Sequence, residues 1–338
     1  LLYKIALSIA AVPVVYILIA LGLIVSNQPV ADELVGGKNA DGLDFSGTRD
    51  QDLSQLAKLQ SLDVAGTSPV NYRFYPNQGA SKRLIVLIHG SGWHSMQFAG
   101  MANYLVENNL GHVVTPDLRG HGVAPERRGD IDYIGQLEDD LALLIADLKS
   151  KHDISQVIIA GHSSGGGLVI RFAGGKHGNI ADGWVLLAPF IRHDAPTARP
   201  DAGGWAHPLL RRIIGLSMLN NIGIRWFNSL TAIQFNMPEF VRKGELGHTA
   251  TLAYSFRLNT SYAPRREYTA DLAKMTKPML LLAGNRDEAF RSDAYQATLS
   301  PHVKNGEYHI LDGLGHIDLV SDPATYRSLK SWLDKLKK

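Results

Sequence analysis

Five apolar runs dominate the hydropathy pattern of this chain: Leu84–Ile88, His112–Thr115, Val157–Ile159, Trp184–Leu187 and Met279–Leu282. They are nearly uninterrupted by polar residues, the signature of parallel strands covered on both faces. Helical spacing lies between them. Ile134, Leu137, Leu141, Leu144, Ile145 and Leu148 recur at three and four residues with acids on the other face, which predicts an amphipathic helix. Upstream, Leu62–Val64 and Val70–Phe74 alternate like two strands of an antiparallel edge. A last helix is predicted from Asp322-Pro323, ending among Lys335, Lys337 and Lys338 as capping and the helix dipole prefer. Strands alternating with helices predict a mostly parallel, doubly wound α/β sheet.

Two regions depart from this alternation. Residues 191–275 contain no clear buried strand but many apolar residues at helical spacing, among them Trp205, Leu209, Leu210, Ile213, Ile214, Leu216, Trp226 and Phe227. An insertion of about 85 residues is too long for an ordinary loop. It is expected to form a helical cap over the C-terminal edge of the sheet, where open α/β sheets bind ligands. The other region is the N-terminus. Ile5 to Val25 carries no charge, and about 21 residues of helix span one hydrocarbon core.

A retained transmembrane anchor is therefore expected over residues 1–28. A cleaved signal peptide would have a shorter apolar stretch, and a buried helix is the third reading. Lys4 before the span and Asp32, Glu33, Asp41 and Asp44 after it put the N-terminus in the cytoplasm and the catalytic bulk on the extracytoplasmic side. Residues 29–61 read as a linker with a short helix. The α/β core then occupies 62–190 and 276–338, with the cap at 191–275 between its two parts.

Composition narrows the chemistry. The chain has 338 residues, 45% hydrophobic and 20% charged, as a globular protein does. A net charge of +2 without a dense basic block gives no argument for nucleic acid. The absence of cysteine excludes disulfides, thiolate metal sites and a cysteine nucleophile.

The most informative residues are Gly161-His162-Ser163-Ser164-Gly165, placed between a β-branched run and a helical stretch. Strand, G-x-S-x-G, helix is the context of a nucleophile elbow. The turn is so tight that side chains two residues before and two after the serine would collide, and glycine at 161 and 165 removes the collision. The register selects Ser163, because Ser164 would need glycine where His162 stands. A serine nucleophile needs a base, and the base an orienting acid.

In this architecture they follow in the order Ser, acid, His. Asp287 stands at the turn after the Met279–Leu282 strand, and His316 in the glycine-rich loop Asp312-Gly313-Leu314-Gly315-His316. Glu288 is the competing acid, and Asp312 is expected to form a turn. The oxyanion hole is expected from backbone N–H groups of Ser164 and of the loop His89-Gly90-Ser91-Gly92, with Ser91 first and Gly90 next. His89, His94, Asp117 and His121 resemble no zinc motif in their spacing.

Together these residues resemble the α/β-hydrolase superfamily over about residues 62–338. The Asp117-Leu118-Arg119-Gly120-His121-Gly122 turn and the cap bring the chain nearest to the monoacylglycerol lipase, lysophospholipase and serine aminopeptidase S33-like group. The resemblance implies a hydrolase without metal or cofactor, and a structural role for the D-x-R-G-H-G turn. The expected activity is cleavage of lipid-derived carboxylic esters through an acyl-enzyme. A thioesterase, an acyltransferase, an S33-like peptidase or a catalytically silent binding protein are the alternatives. A peptidase would need an acid in the pocket for a substrate's free amino terminus, with Glu239 and Glu245 as candidates.

Overall fold

The computed structural model describes residues 2–35, 42–48 and 53–336, with the side chains of the first helix from Val12 onward. In chain order the elements are α1 (Leu2–Val25), β1 (Leu59–Leu62), β2 (Val70–Tyr75), β3 (Arg83–Ile88), α2 (Ala99–Glu107), β4 (His112–Asp117), α3 (Gln136–Lys151), β5 (Gln156–His162), α4 (Ser164–Gly174) and β6 (Gly183–Leu187). The cap follows with β7 (Ala206–Pro208), α5 (Leu210–Asn221), β8 (Thr231–Phe235), α6 (Glu239–Arg242), β9 (Ala253–Ser255), α7 (Phe256–Tyr262) and α8 (Tyr268–Ala273). The chain closes with β10 (Met279–Gly284), α9 (Tyr295–Leu299), β11 (Gly306–Leu311) and α10 (Pro323–Lys335).

Eight strands form one sheet in the order β1-β2-β4-β3-β5-β6-β10-β11. β1, β2 and β4 pair antiparallel at one edge, and every other pairing is parallel. This is the α/β-hydrolase fold. All six residues of β3 and of β10 are buried, as strands covered by helices on both faces must be. Asp322 caps α10 by accepting from the Ala324 N–H, and Pro323 occupies the first turn, where its missing N–H costs nothing.

The cap is not all-helical as its spacing suggested. β7, β8 and β9 form a three-stranded antiparallel sheet of their own. β7 and β9 are three residues long, too short for a period-2 pattern to stand out of the apolar background. Helical spacing does hold for α5, which buries Leu216 and Leu219.

The N-terminus also departs from expectation. α1 is a single helix, but among the described residues no helix is long and apolar enough to cross a membrane. The part of the expected span before Val12 lies outside the described side chains. The later turns dock on the cap: Ala20 and Ile24 are buried with Leu216 and Leu219 of α5, Ala232 and Phe256. Gly215 permits this crossing, since a Cβ there would lie 2.4 Å from the Ala20 carbonyl oxygen. The Tyr16 hydroxyl donates to the Met218 carbonyl at 3.1 Å, and Arg211 to the Ser26 carbonyl at 2.8 Å. The 29–61 segment is more than a linker. Leu43 and Phe45 join the main core, and β1 begins inside it.

Candidate active site

The elbow between β5 and α4 has the geometry its glycines require. Ser163 sits at φ 55° and ψ −120°, a backbone region that non-glycine residues occupy under strain. A Cβ on Gly161 would lie 2.3 Å from the Gly165 carbonyl carbon, and one on Gly165 2.4 Å from the Ile88 carbonyl oxygen. The Ser163 N–H donates to the Leu187 carbonyl at 2.9 Å, and its own carbonyl accepts from the Phe190 N–H at 2.9 Å, so the end of β6 and the loop after it clamp the turn.

Asp287 follows β10 and His316 follows β11, adjacent parallel strands. His316 Nδ1 lies 2.9 Å from Asp287 Oδ2. A carboxylate only accepts, so Nδ1 carries the proton. Asp287 Oδ1 accepts from the Ala289 and Phe290 N–H groups, both at 2.8 Å, which fixes the carboxylate. Glu288 accepts from the His316 backbone N–H at 2.8 Å, not from its ring. Asp312 accepts from the Asn285 amide at 2.6 Å, tying the two loops together as a turn former. His316 Nε2 is buried without a hydrogen-bond partner, and its ring lines the same cavity as Ser163.

The loop after β3 is less open to substrate than its sequence suggests. The Gly90 N–H donates to Gln97 Oε1 at 3.2 Å, so Gly90 is already committed. Ser91 is then the candidate donor from this loop. Ser164, as the first residue of α4, has an N–H with no partner inside the helix.

Gln97 is a residue sequence reasoning missed. Its Nε2 lies 2.9 Å from His162 Nδ1, and His162 Nε2 lies 3.0 Å from the His316 carbonyl oxygen. One chain of hydrogen bonds thus joins the oxyanion loop to the His316 loop. It needs His162 neutral, and burial first, then the nearby His316, hold its pKa well below the usual histidine value. No local motif marks Gln97, because its partners are brought to it only by the fold.

Three of the four residues considered as metal ligands serve as hydrogen-bonding supports, and the fourth, His94, stacks on Trp93. His89 Nε2 accepts from the Leu118 N–H at 3.2 Å, and Nδ1 donates to the Gly90 carbonyl at 2.8 Å. Asp117 accepts from the Ser95 N–H at 2.7 Å. The Tyr254 hydroxyl, 2.7 Å from His121 Nε2, accepts from the Gly92 N–H at 2.6 Å. Burial lowers the pKa of His89 to about 4 and that of His94 to about 3, so both are neutral at pH 7. Arg119 of the D-x-R-G-H-G turn forms a bidentate pair with Asp140 at 2.8 and 2.9 Å, a structural anchor.

Two cavities meet at Ser163. The first, about 250 Å³, is lined by His316, Gly90, Trp93, Trp205 and, from the segment before the core, Leu43 and Phe45. The second, about 80 Å³, is lined by Ser164, Phe190, Trp205, Phe235, Tyr254 and Phe290 beneath the cap. Ser91, Ser163 and Trp205 border both. Among the described residues lining them there is no carboxylate. Glu239 is exposed and paired with Lys243, and Glu245 is exposed.

The serine aminopeptidase S33 family profile matches residues 79–323. Human monoglyceride lipase is 26% identical over 249 residues, covering 71% of this chain and 79% of that protein. An uncharacterised protein of Mycobacterium tuberculosis is 37% identical over 261 residues, covering 72% of each. A soluble variant of monoglyceride lipase from Saccharomyces cerevisiae, solved with a substrate analog, superposes with a TM-score of 0.63 at 20% identity, covering 83% of this chain and 95% of that one. With a family match over most of its length, the chain belongs to the serine aminopeptidase S33 family of α/β-hydrolases and is a serine hydrolase.

Proposed function

We propose that this enzyme cleaves carboxylic esters derived from lipids, of monoacylglycerol or lysophospholipid type, with Ser163, His316 and Asp287 as its triad. The supporting observation is the pair of carboxylate-free, largely apolar cavities meeting at Ser163, beside a histidine already held by Asp287. The similarity to human monoglyceride lipase points the same way.

In this reading the Ser163 hydroxyl oxygen attacks the ester carbonyl carbon while its proton passes to His316 Nε2. The N–H groups of Ser164 and Ser91 hold the oxyanion. Collapse breaks the carbon–oxygen bond, and Nε2 returns the proton to the departing alcohol. Water then repeats the attack on the acyl-serine and releases the acid. Asp287 keeps the proton on Nδ1 and stabilises the imidazolium.

The peptidase reading calls for an acid beside the nucleophile, and the positions of Glu239 and Glu245 count against it. The proposed location is a membrane surface. Its support is the exposure of Val12, Val14, Val15, Leu18 and Ile19 on α1.

The test is labelling by a fluorophosphonate, wild type beside Ser163→Ala, followed by an ester and peptide panel. Labelling lost in the variant and turnover of monoacylglycerols are the expected results. Turnover of peptides but not esters would overturn the substrate assignment, and retained labelling would overturn Ser163.

A further inference from the structure

Residues 43–47 lie outside the matched family region, which begins at residue 79, yet they wall the catalytic cavity. Leu43, Phe45 and Gly47 line the larger chamber together with Ser163 and His316. Phe45 is 3% exposed. Its ring centroid lies 5.3 Å from that of Trp93 and 5.4 Å from that of Trp205. Trp205 borders both chambers, and its indole N–H donates to Ser91 Oγ at 3.0 Å. Phe45 therefore bounds one chamber and buttresses the partition that separates it from the other.

The segment has its own fastenings. Asp44 Oδ1 accepts from the Ser46 N–H at 2.8 Å, fixing the turn after Phe45. Upstream, buried Gln234 of β8 grips Val30, accepting from its N–H at 2.9 Å and donating to its carbonyl at 2.7 Å. The N-terminal segment is thus tied to the cap as well as to the pocket.

The chemistry assigns the chambers. The group that protonates the leaving oxygen must face it. His316 lines the larger chamber and not the smaller, so the alcohol portion of an ester faces the larger and the acyl portion is directed toward the smaller. We propose that Phe45, together with Leu43, is a specificity-determining element that limits the size of the alcohol portion. This rests on the ester reading above.

The test compares wild type, Phe45→Ala and Phe45→Leu on two ester series. One keeps a butyryl group and enlarges the alcohol from methyl to naphthyl. The other keeps p-nitrophenol and lengthens the acyl chain. In Phe45→Ala the naphthyl-to-methyl ratio of kcat/KM should rise about tenfold or more, the discrimination a few pocket carbons supply, while the acyl-series ratios stay within about twofold. Phe45→Leu should fall between, and it carries the test where the alanine variant does not fold.

A shift of equal size in both series, or none in the alcohol series, overturns the proposal. Labelling rates with fluorophosphonates whose alkoxy arm grows give the same comparison without ester turnover. Labelled wild type that cleaves no ester would defeat the ester reading, while those rates still decide the role of Phe45.

Discussion

The elbow and the cap meet at the same serine but are built on opposite terms. The elbow is continuous with β5, whose residues from Val157 to His162 are all buried, and contacts between backbone atoms set its turn. The cap rests on strands of three to five residues. It leaves large apolar side chains in solvent, with Trp226 86% and Leu210 59% exposed. Atoms that must be placed to a fraction of an ångström sit on the rigid sheet. Residues that line the cavity, such as Trp205 and Phe45, come from the cap and the segment before the core.

Four experiments would break or sharpen that comparison. The largest effect is expected at the sheet edge. Asp287→Asn should lower kcat by about 10⁴, because the imidazole loses the acceptor that selects its tautomer, with little change in melting temperature. A loss below about tenfold would remove Asp287 from the machinery.

Acid should come next, acting on the histidines beneath the site. The folded pKa values of His89 and His94 are depressed to about 4 and about 3, against an ordinary value of about 6.5 in the unfolded chain. Below pH 6.5 the unfolded state binds protons that the folded state refuses, so unfolding is favoured. The stability these groups contribute is complete above about pH 6.5. It is lost as pH falls toward 4 and 3, so stability slopes downward with acid. Urea midpoints at pH 7.5, 6 and 5 should follow that slope, and His94→Gln should flatten it. An unchanged slope in the variant would locate the acid sensitivity elsewhere.

Gly165→Ala should cost about 1–3 kcal/mol by overpacking, since its new Cβ meets the Ile88 carbonyl at 2.4 Å, and activity should fall with it. Thermal melting and ester turnover read both. Tolerance of alanine would mean that the turn is looser than its contacts imply. Trp226→Ala on the cap should change stability by no more than about 0.5 kcal/mol. A larger loss in chemical denaturation would show that the cap is as cooperative with the sheet as the elbow is.

How much of this was legible in advance follows from where the determining contacts lie. Strand β3 could be placed from Leu84–Ile88 alone, because an unbroken apolar run has few other uses in an α/β chain. β7 could not, since Ala206–Pro208 is extended chiefly through its pairing with Ile233–Phe235. α1 was visible as a helix, but its docking depends on Gly215, nearly two hundred residues away. Likewise Gly90 reads as a free glycine in a loop until Gln97 is seen to hold its N–H.

The sequence by itself determined the alternation of strands and helices and the steric need for glycine at 161 and 165. It also set the order of Ser163, Asp287 and His316 along the chain. These are properties of neighbouring residues and of the period in which they repeat. Only the tertiary structure decided that the cap holds a sheet and that Gln97 and His162 link the loops carrying Gly90 and His316. It also decided that Phe45 closes a cavity whose other walls come from residues up to 281 positions later. Such contacts join residues of high sequence separation, and no local pattern carries the register in which they meet.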